Sequence, residues 1–249
     1  MGDFDDLTQP SSLLVPPPDK DDVLAFGGQP FADPGSLLDW LSPTHIVNQF
    51  VEQVTGYDVI GNAMMTFGGD WEFVWRAAGA FDTLGNTLAA IAQNIGSGNF
   101  TLDHHWGGNA ADGAFAYFYA LGVAAQDQHI PLQDMAKQYR IAAESTWRLG
   151  NVLNGVLEDI VDAAMVALVA ASAGTAAIET GVGFVAGWAV AAYEAMKITR
   201  LVGEAKKIID IAIDVMNGIL GVIGTLKVHL SNFAKHPLPL SSYSSPATA

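Results

Sequence analysis

The residues closest to a chemical site are two adjacent histidines, His104 and His105, flanked by Asp103 and followed by Asp112. Imidazole and carboxylate together are common ligands of a divalent ion. Neighbouring side chains on a helix point about 100° apart, however, so the two rings do not converge on one centre. Glu158, Asp159 and Asp162 are most simply a solvated helix face. Gly181, Gly183 and Gly187 have the composition of a phosphate-binding loop but not its spacing, and no strand precedes them. No Ser/His/Asp set and no carboxylate pair falls on loops that would share a pocket. The chain is therefore expected to be non-enzymatic, with no catalytic residue, metal or cofactor.

What remains is Trp106-Gly107-Gly108, followed by Asn109. These residues can act as a recognition mark only if flanking elements hold them at a turn. Before them, Trp71, Val74, Ala78 and Phe81 recur at spacings of three and four, and Leu84, Leu88, Ile91, Ile95 and Leu102 continue a shifted stripe. After them a helix is expected from about 110 to 128. Gly107 and Gly108 permit the positive φ that ends one helix, and Asn109 can cap the next, with Asp112 in its first turn. Pro131 then either kinks that helix or starts another.

The remaining elements follow the same period. Ser42-Pro43 is a helix start, opening a short helix that ends near Gly56, and a second covers about 59–65. Beyond Pro131 a heptad seam runs through Leu132, Met135, Tyr139, Ala142, Thr146, Leu149, Leu153, Val156, Ile160, Ala163 and Ala167. The glycine-spaced stretch 174–187 is expected to be a turn region. A last seam uses Ile198, Leu201, Ala205, Ile208, Ala212, Val215, Ile219, Val222 and Leu226, with His229 as a polar interruption. Three open seams must pack on one another, which predicts an all-α, elongated up-and-down helical bundle. Residues 1–41 are expected to be an acidic Pro/Gly-rich leader, 42–235 the bundle, and 236–249 a disordered Ser/Pro tail.

Composition narrows the function. Half of the 249 residues are hydrophobic and 15% are charged, enough for a real core. The formal net charge is −15. Residues 1–75 hold 12 acids and one base, a net of −11; the remainder holds 14 acids and 10 bases, a net of −4. Such a chain repels nucleic acid and anionic membranes. Absence of cysteine excludes disulfides, and the first residues have neither the basic nor the apolar part of a Sec signal peptide.

The stretch from Leu41 to about Gly224 resembles actinobacterial members of the WXG-type, type VII secretion substrate superfamily. The likeness is carried by TGYD, GDWEFVWRAAGAFDTLGNTLAAIAQNI, HHWGGNAADGAFAYF and RLVGEAKKIID. The resemblance implies a helical hairpin with Trp-x-Gly at its turn. It also implies a secreted or cell-surface protein exported by a non-Sec route, cytoplasmic beforehand, with Trp106, Gly108 and Asn109 read by the secretion machinery or a helical partner. The family's Tyr-x-x-x-Asp/Glu element is missing; Tyr139 comes nearest, with Glu144 five residues on. With no toxin domain expected after Pro237, the chain is expected to be a stand-alone carrier, a pairing partner or a structural element assembled outside the cell.

Two other classes stay open. Residues 163–178 and 180–193 are free of charge on either side of Glu179, too short to span a bilayer singly, and are expected to form a buried hairpin. The alternative is a membrane-perturbing protein that releases them. The last is a homo-oligomeric structural protein joined through its seams. Lys197, Arg200, Lys206 and Lys207 form a basic patch, expected to pair with the acidic N-terminal third.

Overall fold

Glycine and proline punctuate the chain, and the helices start and stop close to them. The computed structural model describes residues 5–16, 45–178 and 182–230, and among these every regular element is helical, with no strand. A single 3-10 turn at Pro10–Leu13 precedes α1 (His45–Thr55) and α2 (Val59–Phe67). Four long helices follow: α3 (Trp71–Asp103), α4 (Asn109–Asp127), α5 (His129–Ala176) and α6 (Val182–Leu230). Gly56 ends α1 with φ +70°, a conformation costly for any residue bearing a Cβ. Asp58 caps α2 by accepting the Gly61 N–H at 2.8 Å. The expected start at Ser42-Pro43, most of the leader, Glu179 and the C-terminal tail lie outside the described residues.

Two expectations about breaks resolve differently. Pro131 starts a fresh helix: α4 ends at Asp127, Gln128 separates the two, and the proline is the third residue of α5. There its missing N–H removes no bond within the helix. The 174–187 stretch, by contrast, is largely helix and not a turn, since α5 continues to Ala176 and α6 begins at Val182. Its glycines serve the approach of two backbones. A Cβ on Gly187 would lie 2.6 Å from the Gly174 Cα and 2.7 Å from the Ala170 carbonyl oxygen.

The chain divides into two compact units. The first contains residues 5–16, 73–141 and 218–230. In it α4 runs antiparallel to the second half of α3: Asn99 Nδ2 donates to the Phe115 carbonyl at 2.9 Å, and the Phe100 and Phe115 rings meet edge-on. The first turns of α5 run antiparallel to the first half of α3. His129 Nδ1 lies 3.0 Å from the Gly85 carbonyl oxygen, Gln133 donates to Asn86 at 2.9 Å, and Arg140 pairs with Asp82 at 3.2 Å. The α3 stripe holds at Ala78, but Leu84 and Leu102 are exposed; Thr87, Asn94 and Asn99 are buried on this helix instead. Each satisfies its polar side chain, Thr87 on the Thr83 carbonyl, Asn94 on Leu7 and Thr8, and Asn99 on the Phe115 carbonyl.

The second unit contains residues 45–72 and 142–217. Its core joins α1 and α2 (Val51, Val59, Phe67) to the middle of α5 (Leu153, Leu157, Ile160) and α6 (Ile198, Leu201, Ile209). The seam expected along α5 is buried or half-buried at every position from Leu132 to Ala167. On α6 the seam is buried or half-buried from Ile198 to Ile219 and again at Leu226. Val222 is exposed while Ile223 is buried, and His229 is exposed.

Candidate functional site

The Trp106 turn is built by the ends of α3 and α4. The last turn of α3 closes by bonds from the His105 and Trp106 N–H groups to the Leu102 carbonyl, both at 3.0 Å. His105 Nδ1 lies 2.9 Å from the Thr101 carbonyl oxygen. Gly108 has φ +103°, which reverses the chain, whereas Gly107 does not adopt positive φ. Trp106 is 40% exposed over a shallow crevice lined by Asn99, Leu102, Asp103, Ala111 and Phe115. Asn109 is not the cap expected of it. Gly108, which has no side chain to cap with, takes the cap position, and Asn109 is the exposed first residue of that helix. Trp106, Gly107, Gly108 and Asn109 are thus brought together at one exposed turn.

The other sequence candidates do not assemble into chemistry. Among the described residues, no three His, Cys, Asp or Glu side chains converge as they would around a metal ion. Glu158, Asp159 and Asp162 are exposed, and Glu158 accepts a bond from Asn154 one turn away at 3.0 Å. Tyr139 is no surface element, since its ring is half-buried edge-on against Phe81 with centroids 5.1 Å apart. Among the described residues, the ion pairs of the basic patch lie within its own helix. Lys197 faces Glu194 at 4.0 Å and Arg200 faces Glu204 at 3.8 Å. Lys206 does reach the N-terminal third, but over the ring of Tyr57, 5.5 Å from its centroid. Burial, and then the carboxylates of Asp210 and Asp58, hold the Tyr57 phenol above its ordinary 10.0.

Two features were not anticipated. The buried Asn94 amide holds the N-terminal segment: its Oδ1 accepts the N–H of Leu7 at 3.0 Å and of Thr8 at 3.3 Å, and its Nδ2 donates to the Thr8 carbonyl at 2.8 Å. Beside this clamp lies an open apolar groove of about 500 Å³, with Pro10, Ile91, Ile95, Leu102 and Phe118 among its lining. The signal available in the sequence was a single asparagine between Ile91 and Ile95 on the buried side of a helix. The second feature is the end of the α5–α6 hairpin, expected to be buried. There the inward positions are Ala163, Ala164, Ala167, Gly174, Gly187 and Ala191, while Met165, Val169, Val185, Trp188 and Tyr193 face outward. By length and composition α6 is the one described helix able to cross a membrane, but its most apolar stretch lies toward its C-terminal end, at about 208–225, and not beside the link.

No protein-family model, no curated protein and no solved structure matches this chain.

Proposed function

We propose that the chain is a non-enzymatic substrate of a type VII secretion system, or a secretion-competent helical scaffold or pairing partner. In this reading the fold is an up-and-down bundle with a WXG-type hairpin formed by α3 and α4. Trp106, Gly108 and Asn109 form the patch read by the export machinery or covered by a partner helix. The observation that supports it is the place of Trp106, an exposed aromatic at the turn between two antiparallel, packed helices. A large ring left partly in water is a natural anchor for a partner, because its burial on binding returns both area and orientation. With no Tyr-x-x-x-Asp/Glu element in the sequence, the partner supplies that half of the signal.

The test is export from the native host, followed in the culture supernatant with and without the secretion ATPase. Wild-type protein is expected outside the cell only when the ATPase is present. Trp106→Ala is expected to remain inside while keeping its helical circular dichroism. Export that continues without the ATPase, or retention of wild type under every condition, overturns the proposal.

A further inference from the structure

The Asn94 clamp and the groove beside it are fitted unequally by the segment that occupies them. Asn94 is 5% exposed, and its amide bonds main-chain groups: Leu7 and Thr8 both donate to Oδ1, and Nδ2 donates to the Thr8 carbonyl. Any residue but proline offers the same N–H and C=O, so the clamp recognises a peptide main chain and not its side chains.

The side chains of the segment suit the groove poorly. Those that line it are Asp6 and Pro10, a carboxylate and a small ring, set against Ile91, Ile95, Leu102 and Phe118. The large apolar side chains of the same segment stay in water, with Leu7 66% and Leu14 56% exposed. About 500 Å³ of the groove is left open, a volume within the ~300–1,000 Å³ of ordinary ligand sites. Charge opposes the segment as well. From Ala77 to Ala136 the chain carries five aspartates and no lysine or arginine, and the segment adds Asp5 and Asp6 to this surface. Like charges gathered in one place repel, and they favour a basic occupant over an acidic one.

We infer that the Asn94 clamp and its groove are a binding site for a peptide segment of another protein, one with a large apolar side chain at the place of Asp6 and basic residues beside it. Residues 5–16 occupy the site in the free chain and yield to the peptide that fits better. Two observations favour a peptide. Whatever displaces the segment has to satisfy a buried amide, and a second main chain brings the groups that do so. A small apolar molecule entering beside the segment would instead strip water from the Asp6 carboxylate. The site is independent of the export reading, since peptide binding is measured on purified protein and export in the host.

The experiment is fluorescence anisotropy of the purified full chain with a labelled synthetic peptide, copied from residues 5–16 with Asp5→Lys and Asp6→Leu. A second peptide carries Asp5→Lys alone. The first is expected to bind at least ~10-fold tighter than the second, the scale of burying one leucine side chain. Its binding should weaken as salt is raised. In the full chain, Leu7→Pro removes an N–H held by Asn94 and should raise the affinity for the first peptide at least ~3-fold, by freeing the site. Adding Asn94→Leu to Leu7→Pro should then lower it at least ~10-fold, with wild-type circular dichroism retained. The inference is overturned by no binding even to the Leu7→Pro chain, by equal binding of the two peptides, or by affinity that neither substitution alters. A wild-type dimer in light scattering that Leu7→Pro dissolves would overturn it too, because the occupant would then be the segment of a second copy.

Discussion

Along α5 and α6 the rule for what faces inward reverses. In the middle of the pair, Leu153, Leu157, Ile160, Ile198 and Ile209 are fully buried, because α1 and α2 also pack there and the space between four helices is wide. Toward the link, the inward positions shrink to Ala163, Ala164, Ala167, Gly174 and Gly187, and the large side chains turn outward. Both halves belong to the same two helices. What differs is the number of neighbours, and with it the distance at which two backbones can rest. Small residues permit a close pair that needs no third layer, and they leave a wide apolar surface uncovered.

The largest expected effect tests the wide half. Leu157→Ala removes a side chain with no exposure, in a region that cannot collapse without moving four helices. It should cost about 2–5 kcal/mol in urea unfolding. A loss below about 1 kcal/mol would mean that the middle of the pair is no better filled than its end. Next in size is Gly187→Ala in the narrow half. Its new Cβ has no room against Gly174 and Ala170, and the expected cost is about 1–3 kcal/mol, read as a lower melting temperature. Unchanged melting would show that the two helices stand further apart than the close seam requires. The smallest effect sharpens the contrast. Val185→Asp ought to change folding stability by no more than about 0.5 kcal/mol, since the side chain is 65% exposed. A loss comparable to that of Leu157→Ala would place Val185 in a core after all.

Periodicity made most of the fold legible. The α5 seam from Leu132 to Ala167 is inward at each position, and the turn after His105 falls where two glycines follow a tryptophan. Periodicity alone could not separate a glycine that breaks a helix from one that admits a neighbour. Gly108 does the first and Gly187 the second, and the difference lies in a contact with Gly174, not in the local sequence. The same limit applies to polarity. Asn94 sits on the buried side of α3 as if misplaced, and its reason is a peptide segment more than eighty residues away. Asn109 was legible as a capping type, but the positive φ at Gly108 closes the turn one residue earlier and leaves its side chain without that role. For Trp106 the place at a turn could be read, and so could the types of its neighbours; its degree of exposure depends on how the ends of α3 and α4 pack.

The Gly174–Gly187 contact also bears on the order of events when the chain folds. It joins positions 13 residues apart, whereas the bond from Thr146 to the Met216 sulfur joins positions separated by 70. The entropy lost in closing a loop rises with the logarithm of its length, so a collapsing chain meets itself most cheaply beside the link. From there the two helices can zip toward their middles, each new pair enlarging the loop by only a few residues. The segment that contributes least to the final core is then the one that sets the alignment of both long helices.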